Sequence, residues 1–124
     1  MQRADIIQHI AQKYGVEPEY LWPKKHPGYA VFRCPSNGKW FGMLMDIPGG
    51  KIGLGGVSGA ERTDILVLKN DPDVVALLLC KEGYVPAYHM NKEHWFSILL
   101  GDVVPGEEIR ALIADSADMV CTRK

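Results

Sequence analysis

The chain contains 124 residues, of which 47% are hydrophobic, so residues 1–124 have the size of a single domain with one core. Lys and Arg together number 14 and Asp and Glu 15, which gives a formal net charge of -1. This balance excludes an overall positive charge as the basis of nucleic-acid binding, since nonspecific affinity comes chiefly from cations that displace phosphate counterions.

A first amphipathic helix is predicted over Arg3 to Tyr14, because apolar residues recur there on one helical stripe. Gly15 follows at the place of a left-handed C-terminal cap. The next segment, 16–29, contains three prolines, each of which removes a backbone donor and disfavours helix in the residue before it. We therefore expect an ordered connector and no second helix in this segment.

Two antiparallel strands are predicted at Tyr29 to Cys34 and Lys39 to Ile47, where aromatic and aliphatic residues are enriched. Asn37-Gly38 lies between them and is the dipeptide that best tolerates the positive φ of a tight hairpin turn. Pro48 to Thr63 contains six glycines, too many for the interior of an element, and is predicted to be a loop or an extended hairpin tip.

A third strand is predicted at Asp64 to Lys69, and a helix follows it. Asp71 is placed to cap this helix, which is predicted to begin at Pro72 and to end at Gly83. Because its residues are largely apolar, we expect it to lie across the sheet.

Two further strands are predicted at Tyr84 to Ala87 and Trp95 to Leu100, and a last helix begins at Pro105 with an acidic first turn. The element order is α-β-β-β-α-β-β-α. Because hairpins connect the strands in place of repeated βαβ units, the predicted fold is α+β, a two-layer arrangement of a mainly antiparallel five-stranded sheet with helices packed on it.

The cysteines are Cys34, Cys80 and Cys121, which are odd in number, far apart and without a C-x-x-C pair. They suggest neither a disulfide framework nor a zinc site, and we expect them in the core, with Cys121 nearer the surface. No uncharged apolar run reaches about 18 residues, and the first 15 residues lack the apolar run of a signal peptide. We therefore expect no export, no membrane contact and a reducing, cytoplasmic location.

Four segments carry a resemblance to a known family, namely Leu68 to Pro72, Pro86 to Trp95, Val104 to Ile109 and Asp115-Ser116. The second segment, with its Tyr-His-Met-Asn-Lys-x-His-Trp run, is the most specific. Together they resemble the successive signatures of the MmcQ/YjbR family, and the similarity extends from about Tyr29 to Val120.

The resemblance implies a YjbR-like α-β3-α-β2-α fold, similar to that of secretion chaperones, and a double-wing surface of the kind that binds DNA. It implies no assigned reaction. The chain departs from the family pattern in two places. Ala117 follows Ser116 where the family usually has an aromatic residue, and the glycine-rich insertion from Pro48 to Gly59 is long, which leaves its role open.

The densest polar cluster lies between the last two predicted strands, where loops concentrate binding groups. Its members are His89, Asn91, Lys92, His94 and Trp95. In a functional interpretation, the cations contact phosphate oxygens and the indole stacks on a base. In the structural interpretation, which we favour, the indole anchors its strand and the asparagine satisfies turn amides. Two histidines without a third ligand nearby do not predict a metal site.

The glycine-rich loop does not match a phosphate-binding motif, because Lys51 is not followed by Ser or Thr and Ser58 replaces the third glycine of the dinucleotide fingerprint. A flexible hairpin tip is the simpler interpretation. As the wing of a DNA-binding protein, this hairpin would bring Lys51 and Arg62 to a nucleic-acid backbone, and the first hairpin turn would add Lys39.

A second candidate lies in the connector, where Lys24, Lys25 and His26 stand beside Trp22 and Tyr29. Such a mixture of cations and aromatic rings suits single-stranded nucleic acid or an acidic peptide. Solvated lysines on a proline-rich connector are the simpler interpretation.

Three functions are compatible with these residues. The first is a DNA-binding module that contacts phosphates through a local basic patch of Lys39, Lys51, Lys92 and His94. The second is a module that binds a protein or peptide, or a homodimer, as the likeness to secretion chaperones allows. The third, ranked last, is an enzyme that uses His89 and His94 in acid–base chemistry.

No catalytic residue, metal site or cofactor motif is predicted to accompany those histidines. Asp115 and Ser116 suggest a triad with one of them, but no glycine-flanked nucleophile elbow surrounds Ser116. We therefore expect Ser116 to have a packing role on the inner side of the last helix.

Overall fold

The computed structural model of the protein describes residues 1–48, 62–87 and 90–122. Its elements are α1 (Arg3–Tyr14), β1 (Ala30–Arg33), β2 (Trp40–Pro48), β3 (Arg62–Lys69), α2 (Pro72–Leu78), β4 (Tyr84–Pro86), β5 (Trp95–Leu99) and α3 (Gly106–Ala117), followed by a π-helical segment, Asp118–Thr122. The strands form one sheet in the order β1-β2-β3-β5-β4, and neighbouring strands are antiparallel. The predicted α+β fold and its element order are confirmed.

The first helix follows its sequence signals closely. The Gln2 N–H donates to Asp5 Oδ2 at 2.8 Å in a capping box, and Gly15 ends the helix with a φ of 66°. The connector after it contains no helix, as predicted. None of the helices in the described ranges has the length and apolarity that a membrane crossing requires.

The prediction for α2 was correct at its start, Pro72, and wrong at its end. The helix stops at Leu78, and Gly83, with a φ of 93°, belongs to the turn that leads into β4. Asp71 occupies the N-cap position, but its side chain makes no capping hydrogen bond. Instead, Asn70 Oδ1 accepts the Asp71 N–H at 2.8 Å. Only part of the helix lies against the sheet, since Leu77 is 71% exposed.

The sheet has two faces with different coverings. The first, here called the helix face, packs against α1 and α3 and includes Ala30, Phe32, Leu44, Leu66, Leu68, Phe96 and Ile98. The other, here called the second face, includes Val31, Met43, Met45, Ile47, Ile65 and Val67. Partly buried side chains from the connector and from the β4–β5 loop pack against the second face. The strict alternation of strand residues therefore produces two separate apolar clusters.

A β-bulge interrupts the pairing of β1 with β2. Phe32 pairs with Gly42, but Arg33 pairs with Trp40, so Phe41 is the extra residue. Phe41 consequently joins the cluster on the helix face, while Trp40 packs against the second face. Such bulges redirect side chains, and here the bulge brings an indole onto the second face.

Ser116 closes the gap between β2 and β3 beside this bulge. Its hydroxyl donates to the Phe41 carbonyl at 2.6 Å and accepts the Lys69 N–H at 3.0 Å. The regular pairing of β2 with β3 ends one residue away, at Gly42 and Leu68. The hydroxyl therefore replaces a ladder hydrogen bond and ties α3 to the sheet, a structural role as predicted.

Cys34 lies in the core as predicted, but the predictions of no disulfide and of a buried Cys80 were wrong. Cys34 and Cys121 form a disulfide with a Cα–Cα distance of 5.3 Å, and Cys80 is free and exposed. The same segment is held by two more contacts, since Ser36 Oγ donates to the Cys121 carbonyl at 3.0 Å and Asn37 Nδ2 to the Val120 carbonyl at 2.9 Å. Partners 87 residues apart carry no sequence signal. The cysteine count therefore no longer supports a reducing compartment.

Candidate binding site on the second face

A pocket with a volume of about 270 Å³ opens on the second face of the sheet. Its walls are aromatic rings and flexible thioether side chains. They belong to Trp22, His26, Tyr29, Trp40, Met43, Met45 and Met90. Concave, mainly apolar sites of this kind are the usual places where small groups bind.

The connector forms one wall because the edge of the sheet holds it in place. Glu19 and Val31 exchange two backbone hydrogen bonds of 2.9 Å, which attach the connector to β1. The chain then turns, with the His26 N–H bonded to the Trp22 carbonyl at 2.8 Å and the Tyr29 N–H bonded to the His26 carbonyl at 3.1 Å. These bonds hold Trp22 above the methionines of β2.

The rings of the pocket pack against one another at well-defined angles. Trp22 stands edge-on to Tyr29 and to Trp40, with centroid distances of 6.1 Å and interplanar angles of 82° and 86°. His26 stacks on Tyr29 at 4.3 Å with an angle of 6°. Edge-to-face and stacked arrangements are favourable for aromatic rings, so they fix the wall of the pocket.

Cations and indoles alternate across four neighbouring strands at one end of the sheet. The Arg33 guanidinium lies over the Trp40 ring at 5.7 Å, and Lys69 Nζ lies 5.9 Å from the Trp95 ring centre. Arg33 pairs in register with Trp40, and Lys69 with Trp95. Arg33 also forms an ion pair of 2.9 Å with Glu19. We call these four residues, Arg33, Trp40, Lys69 and Trp95, the cation–indole row.

The sheet separates the sequence-predicted phosphate contacts. Lys39, Lys92 and His94 lie near the end of the sheet that carries the cation–indole row, since they adjoin the first residues of β2 and β5. Arg62 lies at the opposite end, where it pairs with Pro48, and it forms an ion pair of 3.2 Å with Asp46. Arg62 is therefore remote from the others and partly neutralised.

Two predicted site residues, Lys51 and His89, lie outside the described residues. Asn91, His94 and Trp95 make structural contacts within the protein. Asn91 Oδ1 accepts the Glu93 N–H at 2.9 Å, and the Asn91 carbonyl accepts the Trp95 N–H at 2.9 Å. The His94 carbonyl accepts the Asn70 N–H at 2.9 Å. Asn91 thus closes a turn, and Trp95 packs against the second face, as the structural interpretation proposed.

Only some of the residues that line the pocket could be predicted from the sequence. The mixture of cations and rings in the connector indicates Trp22, His26 and Tyr29 as binding residues, but no sequence signal indicates Trp40 or the methionines. Met43 and Met45 alternate along β2, which is the signal for one face of a strand. The bulge removes Trp40 from that alternation, so its face could not be read from spacing. Among the described residues, no group of three or more His, Cys, Asp or Glu could hold a metal ion.

Comparisons with known proteins identify the family. The YjbR family model matches residues 11–119. This chain belongs to the YjbR family. It is 43% identical over 116 residues to the uncharacterized protein YyaQ of Bacillus subtilis strain 168, covering 94% of this chain and 95% of YyaQ. It is 37% identical over 105 residues to the uncharacterized protein YbdF of Escherichia coli O157:H7, covering 82% of this chain and 71% of YbdF.

Solved structures agree with the family assignment. A crystal structure of a protein from Pseudomonas syringae is 46% identical, has a TM-score of 0.87 and covers 94% of this YjbR-family chain and 96% of its own. Protein DR2400 of Deinococcus radiodurans, at 22% identity, has a TM-score of 0.70 and covers 97% of this chain and 79% of its own. The second likeness concerns the fold alone. These comparisons establish the family and leave the activity open.

Proposed function

We propose that the chain is a binding module that takes an apolar side chain of a protein partner into the pocket on the second face. The pocket carries this proposal, because its floor consists of thioether side chains that adapt to differently shaped apolar groups. Tyr20 and Leu21, which directly precede the pocket residue Trp22, are large residues that are 47% and 38% exposed. The partner is either another protein or a second copy of this chain. Catalysis is not part of the proposal, and the cytoplasmic location remains a prediction.

The size of the pocket favours a side chain over a whole small molecule. Sites for complete drug-sized ligands usually measure about 300–1,000 Å³. A cavity of about 270 Å³ lies just below that range. It therefore suits a leucine, methionine or aromatic side chain that is presented by a longer polypeptide.

The packing of the rings favours an inserted side chain over a stacked nucleotide base. Tyr29 and Trp40 each meet Trp22 in an edge-to-face arrangement, and His26 covers one face of Tyr29. Arg33 lies over the Trp40 ring. Platforms for single-stranded nucleic acid need exposed ring faces, and one face each of Tyr29 and Trp40 already makes contacts within the protein.

Methyl NMR of methionine-labelled protein tests the proposal. The probes are N-acetyl-tryptophanamide, N-acetyl-leucinamide and N-acetyl-aspartamide, titrated to millimolar concentration. We expect the first two to shift the methyl signals of Met43, Met45 and Met90, while Met1 and Met119, which do not line the pocket, serve as internal references. The polar probe should shift none of them.

A blocked pocket supplies the matched control. Met90→Trp places a large side chain at the mouth and should abolish the shifts at Met43 and Met45, whereas Leu77→Ala, a change to the exposed side of α2, should preserve them. Equal shifts at all methionines, or none at the three pocket methionines, would contradict the proposal.

DNA binding is the second candidate, and the cation–indole row favours it. Lys39 and Lys92 lie at the same end of the sheet as this row, so a phosphate backbone that follows that end would meet several cations. Labelled duplex and single-stranded oligonucleotides, titrated at 50 mM and 200 mM salt, distinguish this function. A double-wing contact requires a steep fall of affinity with salt, and the absence of a salt slope would exclude phosphate contacts.

A further inference from the structure

The border of the pocket is rich in cations, which indicates the chemistry of the partner. Trp40 is a wall of the pocket and also the ring beneath the Arg33 guanidinium, whose charge is partly neutralised by Glu19. Lys69 lies on the strand next to β2, at the same end of the sheet and over Trp95. The cation–indole row therefore begins in the pocket wall and extends away from it across the sheet.

Further lysines follow or precede the residues that line the pocket. Lys24 and Lys25 lie within the turn between Trp22 and His26, Lys39 precedes Trp40, and Lys92 comes two residues after Met90. All four lysines are exposed, and within the described ranges none of them forms an ion pair. In a chain with a net charge of -1, this concentration of positive charge is local.

We infer that the partner segment carries carboxylates on one or both sides of its apolar anchor, so that the pocket takes the anchor while the surrounding cations contact the acidic residues. This inference rests on the proposed function and adds the charge of the partner to it. Lysines are compact point charges on flexible stems, so they can reach carboxylates at variable positions along a peptide. Charge complementarity of this kind selects the partner and speeds its encounter more than it adds affinity.

A nucleic acid would use the same cations less well. The anchor cavity suits a side chain, and the Trp40 ring already lies beneath Arg33, so bases find little free stacking surface near the charges. Arg62, which would extend a phosphate path along the sheet, lies at its other end beside Asp46.

Three peptides of nine residues test the inference on the full chain. Each has a central tryptophan anchor, and the flanks are rich in Asp and Glu, in Ser and Gly, or in Lys. We expect the acidic peptide to bind about tenfold more tightly than the neutral one at 50 mM salt, as the combined effect of several exposed charge pairs. At 500 mM salt the difference should largely vanish, because screening shortens the range of such contacts.

Charge reversal identifies the surface responsible. The double variant Lys24→Glu/Lys25→Glu should lose most of the preference for the acidic peptide, while Lys13→Glu, on the exposed side of α1, should keep it. Binding of the neutral peptide by the variants, with the same methionine shifts, shows that the pocket is intact. Equal affinity of the acidic and neutral peptides would overturn the inference and leave the proposed function standing.

The remaining outcomes are also decisive. If no peptide binds although the amide probes shift the pocket methionines, the inference is wrong and the pocket serves another ligand. If a single-stranded oligonucleotide binds more tightly than the acidic peptide and shifts Met43 and Met45, the partner is a nucleic acid and both proposals are wrong.

Discussion

The two faces of the sheet use the same strands for different purposes. On the helix face, Ile6, Ile109 and Ile113 are fully buried against fully buried strand residues. On the second face, Trp22 and Trp40 are only partly buried and surround a cavity. The helix face is close-packed and supplies stability, while the second face leaves a cavity with room for a ligand.

The types of side chain on the two faces match this difference in packing. The helix face uses phenylalanine and branched aliphatic residues, which have few rotamers and pack into one arrangement. The pocket uses three methionines, whose unbranched thioether chains adjust to different shapes. A partner can therefore be accommodated on one side without disturbing the packing on the other.

The largest effect is expected from the disulfide, which fastens the C-terminal segment to the helix-face side of β1. Closing a loop of 87 residues restricts the unfolded chain, so reduction should lower the free energy of unfolding by about 4 kcal/mol. Chemical denaturation with and without a phosphine reductant measures this. Cys80→Ser should respond to the reductant as the original chain does, whereas Cys34→Ser/Cys121→Ser should not respond. A chain whose stability is unaffected by the reductant would show that the bond contributes nothing.

Leu44 and Met43 are adjacent in β2 and point to opposite faces, so they test the comparison directly. Leu44→Ala leaves a cavity in the close-packed helix face and should cost about 3 kcal/mol. Met43→Ala enlarges a pocket that already exists and should cost less, about 2 kcal/mol. Denaturation measures the stabilities, and methyl NMR with N-acetyl-tryptophanamide measures binding. Only Met43→Ala should alter binding of the probe. An equal loss of binding in both variants would contradict the assignment of stability to the helix face and binding to the second face.

The fold was predictable because its signals are local, whereas the site was not. A helical stripe followed by Gly15 gave both ends of α1, and Asn37-Gly38 gave the first hairpin turn. The pocket depends on the bulge at Phe41, which changes the faces of Trp40 and Phe41 and leaves no trace in the spacing of the sequence. The disulfide depends on a contact between the residue after β1 and the C-terminal segment, which only folding brings together.

Ser116→Ala should have the next largest effect on stability. This residue bridges β2 and β3 beside the bulge. The change leaves the Lys69 N–H and the Phe41 carbonyl without their partner, so we expect a loss of about 2 kcal/mol. Ser97→Ala is the matched control, because this buried hydroxyl makes one bond of 3.3 Å to the Pro86 carbonyl and should cost about 1 kcal/mol. Thermal or chemical denaturation compares the two. A smaller loss for Ser116→Ala than for Ser97→Ala would show that the bridge between the strands is not needed.

The smallest effect concerns Glu108, where α3 meets β4 at the border of the helix face. Hydrogen bonds from Lys81, at 2.8 Å, and from the Tyr84 hydroxyl lower the pKa of this carboxyl below its ordinary value of 4.5, although partial burial opposes them. Burial and the neighbouring Glu108 raise the pKa of Tyr84, so its hydroxyl stays protonated and continues to donate. The folded state thus favours the carboxylate.

Because the folded pKa of Glu108 is depressed, its contribution to stability is present above pH 4.5 and is lost as the pH falls through the folded pKa. We expect Glu108→Gln to cost less than about 1 kcal/mol at pH 7, since the pair with Lys81 is partly exposed. The difference between Glu108→Gln and the original chain should shrink below pH 4.5, as measured by urea midpoints between pH 7 and pH 3. A constant difference over that range would mean that the carboxylate form is not favoured. The pocket on the second face should bind the amide probes equally in both chains, since none of these three groups reaches it.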